Sequence, residues 1–346
     1  IPFEGALTAV GRTGAYRPAW HLDVRSLYPS ILMMDHWSPA SDPRGVFTNL
    51  LENFRAFRLQ AKDAARSAET QARRDEFQAL QNSFKILINS FYGYLGFAQG
   101  TFNDFALAEK VTSTGRGILT QMRMHLEAAG AVILEMDTDG IYFVPPEGIS
   151  PQEMREKIQQ ELPQGIEIEL DGIFQAMFSY KSKNYALLEA NNRISLHGAA
   201  LRSRGLEPFQ RRFIQEALEE ILLKRSKDLT PLKERYLEEL RNHAWPLTDF
   251  LRKENLTQTV ESYQAALSSG KGKRSAVYEL AARSQKELKP GDSVRYYVTG
   301  AKKSVQVVSN SKLEEEIDPQ LRDENIAFYA DKLISLADKF QEVLLS

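Results

Sequence analysis

The stretch Ala131-Val-Ile-Leu-Glu-Met-Asp-Thr-Asp-Gly-Ile-Tyr-Phe-Val144 places two apolar runs on either side of a short Asp-Thr-Asp-Gly sequence. Strand-forming residues around Asp-Gly predict a β-hairpin. Asp137 and Asp139 stand two residues apart, so in an extended backbone both carboxylates project to one face. Two close carboxylates repel each other unless a cation lies between them, and Mg²⁺ is often held in this way. The alternative is a solvated turn, and a partner carboxylate is required to exclude it.

Asp23 is the candidate for that partner. It lies near the end of a strand predicted over residues 18–24, and a turn into a helix follows, with Ser26 as the predicted N-cap. An acid at the end of one strand and two acids at an adjacent hairpin tip bring three carboxylates together, which is enough for two metal ions about 3.5–4 Å apart. The turn after Asp23 also offers backbone N–H groups to phosphate oxygens.

Helices dominate the rest of the chain. Two are predicted over residues 50–66 and 74–95 and form an antiparallel hairpin, since apolar residues recur in both at spacings of three and four. A further helix over residues 103–129 ends at Gly130, which suits a helix C-terminus. Later elements are an amphipathic helix, four strands and a closing helix, at residues 151–161, 166–173, 184–189, 192–196, 293–298 and 324–343. Beyond residue 207 the chain is otherwise mainly helical.

The helical hairpin carries positive charge. Arg58 and Lys62 are four residues apart and therefore share one helix face. Lys85 and Asn89 have the same spacing on the second helix, and Tyr92 continues their face. Basic groups facing a carboxylate–metal cluster suit a triphosphate, because phosphoryl transfer is catalysed mainly by positioning and charge neutralisation. The alternative is a solvated helix surface. Lys85 argues against it, because it interrupts an apolar run, and burying its charge in a core would be costly.

Length, composition and charge set limits on the class of protein. The chain has 346 residues, which is typical of two or three domains. It has no cysteine, which excludes disulfides, thiolate metal sites and a cysteine nucleophile. Without an apolar run of about 18 residues or a leader, we expect an intracellular, soluble protein. The net charge is −2, but residues 181–310 carry 24 basic and 15 acidic side chains, an excess of +9 that suits a phosphate backbone.

Three motifs, in order along the chain, resemble those of family B DNA polymerases. Residues 23–31 (Asp-Val-Arg-Ser-Leu-Tyr-Pro-Ser-Ile) are similar to motif A, residues 85–93 (Lys-Ile-Leu-Ile-Asn-Ser-Phe-Tyr-Gly) to motif B, and Asp137-Thr-Asp139 to motif C. Further similarities extend over the whole chain, at residues 3–6, 111–116, 183–185, 197–204 and 291–298. The resemblance implies an α+β protein of right-hand architecture. Its parts would be an antiparallel-sheet palm (residues 1–49 and 96–190), helical-hairpin fingers (50–95) and a mostly helical thumb (191–346).

The resemblance also implies a role for each candidate residue. Asp23 and Asp139 would ligate two Mg²⁺ ions, with Mn²⁺ as the substitute. The Val24 carbonyl would assist them, and Asp137 would lie beside them as the third catalytic acid. Tyr28 would lie under the sugar and exclude a 2′-hydroxyl. The expected triphosphate contacts are Ser26, Leu27, Tyr28, Arg58, Lys62, Lys85 and Asn89. The expected DNA contacts are Tyr92, Lys183, Tyr185, Arg202, Arg204, Lys271, Lys273 and Arg274.

These roles imply a template-directed DNA polymerase that adds a deoxynucleotide to a primer 3′-hydroxyl and binds primer–template DNA and dNTPs. Motif C departs from the family pattern, because Glu135, Met136 and Gly140 replace its flanking residues. The added negative charge of Glu135 would alter metal preference or primer contact.

No exonuclease segment is expected in this chain, so proofreading would belong to a separate subunit or segment, or be missing. We expect no membrane partner and a prokaryotic or viral enzyme that is cytoplasmic and nucleoid-associated. Two alternatives stay open: a low-fidelity or lesion-bypass polymerase, and a non-catalytic DNA-binding relative of the polymerase scaffold.

Overall fold

The structure is a computed structural model that describes residues 7–203, 205–318 and 320–346. The chain divides into two compact units. The first comprises the residues up to Arg12 together with Arg17–Gln175, and the second comprises Thr13–Tyr16 together with Ala176–Ser346. The division into palm, fingers and thumb stays a prediction.

Helices and antiparallel strands both contribute to the described residues, as the expected α+β class requires. The strands are β1 (Thr8–Val10), β2 (Gly14–Tyr16), β3 (Ala19–Val24), β4 (Val132–Asp137), β5 (Gly140–Val144), β6 (Ile168–Phe174), β7 (Ala176–Lys181), β8 (Asn184–Leu188), β9 (Ile194–His197), β10 (Arg252–Asn255), β11 (Ser293–Val298) and β12 (Ser311–Leu313). The α-helices are α1 (Leu27–Met34), α2 (Val46–Ser67), α3 (Gln71–Leu95), α4 (Phe105–Ala128), α5 (Pro151–Gln160), α6 (Ala199–Arg202), α7 (Pro208–Leu222), α8 (Thr230–Arg241), α9 (Val260–Ser268), α10 (Ala276–Ala281) and α11 (Ile326–Leu345).

The first unit is built on an antiparallel sheet with the strand order β1-β4-β5-β3-β6. Leu22 and Val24 on β3 are completely buried and join a core that includes Leu119 of α4. Because successive side chains of a strand point to opposite faces, the residues between and before them, Asp23 and His21, face the other side of the sheet. The core therefore holds β3 in place while its polar face remains available for a site.

The predicted helical hairpin is present as α2 and α3. Thr70 caps α3, since its side chain accepts a hydrogen bond from the Arg73 N–H. The two helices meet through aromatic rings, with the Phe54 ring 6.0 Å from Phe84 and 5.8 Å from Phe91 between centroids. Several of the apolar residues that suggested the helical period are instead solvent-exposed: Leu59, Leu80 and Leu87.

Helix α4 follows the predicted limits closely. The Asp104 carboxylate accepts a hydrogen bond from the Leu107 N–H at 2.9 Å, which caps the first turn. Gly130 lies just after the last turn with a φ of +92°, in the left-handed region that favours glycine. Local capping chemistry thus explains why both ends of this helix were predictable.

The second unit contains the four-stranded sheet β2-β7-β8-β9 and the three-stranded sheet β10-β11-β12. Helices α7, α8 and α11 enclose a large aromatic core, whose fully buried members include Phe209, Phe213, Tyr236 and Phe340. The sequence pattern did not predict strands β2, β7, β10 and β12. No helix within the described ranges is both long and apolar enough to cross a membrane.

Candidate active site

Asp23 and the β4–β5 hairpin tip are neighbours, as the sequence predicted. Strand β3 pairs antiparallel with β5 so that Asp23 lies opposite Gly140. The Val24 N–H donates to the Asp139 carbonyl oxygen at 2.8 Å, which extends the pairing to the tip. The strand register alone therefore brings residues that are more than a hundred positions apart into one site.

The hairpin tip is folded more tightly than expected. Asp137 pairs with Gly140, so the turn itself consists of Thr138 and Asp139. Thr138 has a φ of +58°, and the Asp139 N–H donates to the Asp137 carbonyl oxygen at 2.6 Å. The backbone at Thr138 is therefore not extended, contrary to the expectation from the sequence, and the projection of both carboxylates to one face stays a prediction.

A cleft of about 340 Å³ opens at this tip and is lined by both acid and base. Asp23 and Asp139 lie in its wall, whereas Asp137 is not among its lining residues. The cationic residues that line it are Arg25, Arg55, Arg58, Lys62 and Lys85. Four more of the predicted triphosphate contacts also line the cleft, together with Tyr92: Ser26, Leu27, Tyr28 and Asn89. The cleft thus gathers most of the residues that the motifs singled out.

The acids in this cleft repel each other. Burial raises the pKa of Asp23 to about 8, and the negative charge of Asp139 acts in the same direction. Glu169 and Asp171 add to that effect, while the nearby Lys85 ammonium partly opposes it. Burial also raises the pKa of Asp139, followed by the charge of Asp137. The folded protein therefore holds carboxylates in a place where ionisation is unfavourable without a cation.

These acids fit a hard divalent cation in an open site. Among the described residues, no group of three or more His, Cys, Asp or Glu side chains is arranged to hold a metal ion by itself. The meeting of Asp23, Asp137 and Asp139 at one metal site stays a prediction, although the charge of Asp137 acts on the pKa of Asp139. Mg²⁺ is usually bound by one or two carboxylates and completes its shell with water and substrate phosphates. Asp23 and Asp139 supply that donor set.

The opposite wall of the cleft is basic and comes from the helical hairpin. Arg58 donates from Nη1 to the Ser26 hydroxyl at 3.0 Å, which links α2 to the start of α1. Ser26 is the N-cap residue of α1, as predicted, with a φ of +48°, but its side chain makes no capping hydrogen bond. Its hydroxyl receives Arg58 instead. Burial lowers the pKa of the Arg58 guanidinium.

Lys85 reaches the cleft for a different reason from the one expected. The apolar run around it does not face a core, because Ile86 is 67% exposed and Leu87 44% exposed. Only Ile88 of that run is buried, at 1% exposure. Lys85 is thus an exposed helix residue whose charge still acts on the pKa values of Asp23 and Asp139.

Two tyrosine rings pack against each other in the cleft, with their planes tilted by 33°. Tyr28 and Tyr92 have ring centroids 4.4 Å apart. Helix α4 passes close behind Tyr28, since a Cβ on Gly115 would lie 3.0 Å from its Cε1. The Tyr28 ring is thereby held between two helices, which suits a group that must exclude part of a ligand by shape.

Comparison with known proteins agrees with this arrangement. The model of the family described as "DNA polymerase family B" matches residues 34–141 and 149–340. The chain belongs to DNA polymerase family B. A DNA polymerase of Pyrococcus glycovorans is 26% identical over 363 residues, covering 96% of this chain and 46% of the relative. DNA polymerase 1 of Pyrococcus abyssi is 27% identical over 248 residues, covering 64% of this chain and 32% of the relative.

The fold is also that of a family B DNA polymerase. The solved structure of the enzyme from the hyperthermophilic archaeon Pyrobaculum calidifontis superposes with a TM-score of 0.73 at 19% identity. The alignment covers 99% of this chain and 48% of that structure. The chain thus spans half or less of the length of these family B polymerases. The predicted family and fold class are confirmed.

Several expected DNA contacts belong to the second unit. Lys183 is exposed in the turn between β7 and β8, at a φ of +59°. Tyr185 is 4% exposed and stacks on His197 with centroids 4.7 Å apart, so its ring is covered. Four others are exposed on the same unit, namely Arg202, Lys271, Lys273 and Arg274. Arg204 lies outside the described residues, as do residues 3–6.

The sequence predicted strand β6 but not that its acids belong to the site. Glu169 and Asp171 on β6, and Glu167 just before it, alternate with apolar residues, and β6 pairs with β3 beside Asp23. Arg25 donates from Nε to Glu169 at 2.9 Å and from Nη1 to Glu167 at 3.3 Å. The alternation was visible in the sequence, but the neighbouring strand was not.

Glu135, one of the departures from the family pattern in motif C, is fully buried on β4, where it lies opposite Tyr142 of β5.

Proposed function

We propose that this chain is the polymerising part of a template-directed DNA polymerase, which transfers a deoxynucleotide to the 3′-hydroxyl of a primer. One observation carries the proposal: Asp23 and Asp139 lie side by side in a cleft whose opposite wall is basic. Phosphoryl transfer depends mainly on positioning and on charge neutralisation, and this cleft offers both. The chain spans only part of its relatives, so the activity itself requires a direct test.

The carboxylates would hold two Mg²⁺ ions, with Mn²⁺ as a substitute, and the Val24 carbonyl would assist them. When bound, such ions lower the pKa of the primer hydroxyl and neutralise charge on the triphosphate and the leaving pyrophosphate. Asp23 and Asp139 fit this use because a bound cation would relieve the repulsion and the burial that raise their pKa values. Asp137 would act at longer range through its charge on Asp139.

The basic wall would bind the triphosphate. Arg58, Lys62 and Lys85 converge on the cleft from two helices, with Asn89 beside them. The Ser26 and Leu27 amides at the start of α1 add donors for phosphate oxygens. Arg58 would exchange its contact with the Ser26 hydroxyl for a phosphate when a nucleotide enters.

Primer–template DNA would be the macromolecular partner. The excess of positive charge over residues 181–310 suits binding to phosphates without reading sequence. Lys183, Arg202, Arg204 and the loop residues Lys271, Lys273 and Arg274 would contribute to it, and Tyr92 would lie near the new base pair. Such an enzyme would act on nucleoid DNA in the cytoplasm of a prokaryotic cell. Neither a lesion-bypass role nor a non-catalytic role is favoured by any feature of the cleft.

The deciding experiment is primer extension on a primed single-stranded template with Mg²⁺ and dNTPs. The native chain should extend the primer, and Asp139→Asn should reduce the rate by about 1,000-fold, because the amide cannot neutralise a cation. Asp249→Asn serves as the matched control, since that carboxylate pairs with Arg212 in the second unit. Extension by Asp139→Asn at the native rate would refute the assignment.

Selection of deoxynucleotides is tested at Tyr28. Tyr28→Ala removes the ring that packs on Tyr92 and against Gly115. We expect the preference for dNTPs over rNTPs to fall at least about tenfold, because the excluded volume for a 2′-hydroxyl is lost. The measurement is the ratio of kcat/KM for dNTP and rNTP. An unchanged ratio in an active variant would remove Tyr28 from this role.

A further inference from the structure

His21 occupies a constrained position next to the carboxylates. It lies two residues before Asp23 on β3 and therefore on the same face of the sheet. Its ring stacks on Tyr142 with centroids 4.0 Å apart and planes 11° apart. Its Nδ1 lies 3.2 Å from Asp171 Oδ2, and only 10% of its side chain is exposed. A ring held by one neighbour on its face and another at its edge has little freedom to rotate.

Gly140 provides the space for this ring. A Cβ at that position would lie 2.3 Å from His21 Nε2, closer than atoms can approach. The same Cβ would lie 3.0 Å from Asp23 Oδ1 and 3.0 Å from the Leu22 carbonyl oxygen. The imidazole and the Asp23 carboxylate therefore share the space above Gly140, and the absence of a side chain there lets them lie together.

The imidazole thus separates two sets of acids. On one side, Nδ1 binds Asp171 of β6; on the other, Nε2 faces the strand end where Asp23 and the hairpin tip meet. Without the contact to Nδ1, the Asp171 carboxylate would be free to turn toward Asp23. Its negative charge already raises the pKa of Asp23. Groups that orient metal-binding carboxylates in this way typically affect metal affinity without binding the metal.

We propose that His21 is a positioning residue for the metal-binding carboxylates. Its ring is fixed on Tyr142, its Nδ1 contact holds Asp171 away from the Asp23 carboxylate, and Gly140 leaves the space that the ring fills. The ligand concerned is a divalent cation. This inference rests on the proposed function only in assigning Asp23 and Asp139 to that cation.

The test measures Mn²⁺ binding to the full chain by electron paramagnetic resonance, without DNA or nucleotide. His21→Phe keeps a ring on Tyr142 but loses the contact with Asp171, and we expect it to weaken Mn²⁺ binding about tenfold. His21→Asn retains a donor where Nδ1 stands and should restore most of the affinity. Native affinity in His21→Phe would overturn the proposal, as would an equal loss in both variants.

The matched control is His125→Gln. His125 also faces a carboxylate, with its Nδ1 3.9 Å from Glu161, but it lies on α4 outside the cleft lining. Its Mn²⁺ affinity should equal that of the native chain. Thermal unfolding of each variant verifies that it is folded, so that a loss of binding is not a loss of structure.

A second measurement tests the link between His21 and Gly140. Gly140→Ala should weaken Mn²⁺ binding in the native background, because its Cβ displaces the imidazole. In the His21→Ala background the same change should cost less than about twofold, since no ring is present to be displaced. Equal effects in both backgrounds would refute the steric link. Because these are binding measurements, failure of primer extension by the native chain would be recognised separately.

Discussion

Buried acids are treated in opposite ways in the two units. In the second unit, Glu324 is enclosed, yet its Oε1 lies 2.9 Å from His243 Nδ1 and 2.6 Å from Arg322 Nη2. In the same unit, Glu207 forms an ion pair with Lys332. In the first unit, the neighbours that most affect Asp23 after its burial are other acids, beginning with Asp139.

This is the difference expected between acids that stabilise a fold and acids that would bind a cation. A carboxylate that is buried for structural reasons needs a cationic partner, because an uncompensated buried charge is strongly destabilising. Acids that repel one another inside a cleft reduce stability, and strongly shifted pKa values of this kind cluster at functional sites. The acids of the cleft therefore lower the stability of the first unit at the place where a bound cation would restore it.

The largest expected effect comes from Asp23→Asn, which should act on activity and stability in opposite directions. Primer extension should fall by about 1,000-fold, because a cation ligand is lost. The metal-free protein should become more stable at pH 8, since the amide cannot ionise. Thermal unfolding in EDTA measures this gain, at about 2–4 °C for each kcal/mol recovered. A variant less stable than the native chain under these conditions would contradict the comparison.

The pH dependence follows from the same carboxylate. The pKa of Asp23 is near 8 in the folded protein and ordinary in the unfolded chain. Between about pH 4 and pH 8 the unfolded chain releases this proton first, so the Asp23 contribution to stability is lost as the pH rises. In EDTA, the free energy of unfolding of the native protein minus that of Asp23→Asn should therefore fall as the pH rises across this window. Mg²⁺ should reduce the fall at pH 8, and a rising curve would be the contrary result.

Glu207→Gln makes the same chemical change in the second unit and should have the opposite sign for stability. Loss of the carboxylate leaves Lys332 without its partner in a poorly solvated place, so the free energy of unfolding should decrease by about 1–3 kcal/mol. The Mg²⁺ dependence of primer extension should be unchanged. Urea unfolding measures the first quantity, with the exposed Glu261→Gln on α9 as control. A Glu207→Gln variant with a larger free energy of unfolding than the native chain would contradict the distinction between the two units.

The smallest effect is expected at Lys85, the cation that partly offsets the acidic cluster. Lys85→Gln should raise KM for dNTP about tenfold, because one charge on the triphosphate is no longer neutralised. The matched control is Lys157→Gln on α5, an exposed lysine that does not line the cleft. Steady-state kinetics on a fixed primer–template distinguishes the two. Equal KM values for Lys85→Gln and Lys157→Gln would show that Lys85 does not contact the triphosphate.

Much of this site could be predicted from local sequence, and the failures share one cause. The hairpin at residues 137–140 and the strand that ends near Asp23 follow from composition and spacing alone. The tight turn at Thr138 did not, because its left-handed φ depends on how β4 and β5 are paired. The alternating acids of β6 were visible, but only the strand order places them beside β3.

By itself, the sequence determined the elements around the cleft, the three motifs and the residue types that reach it, because periodicity, caps and turn chemistry act over a few neighbouring positions. The tertiary structure alone decided which acids meet. Strand register sets Asp23 against Gly140, brings Asp171 to His21 and leaves Asp137 outside the cleft lining. Carboxylate repulsion, and with it the need for a cation, depends on distances between strands that are far apart in the chain.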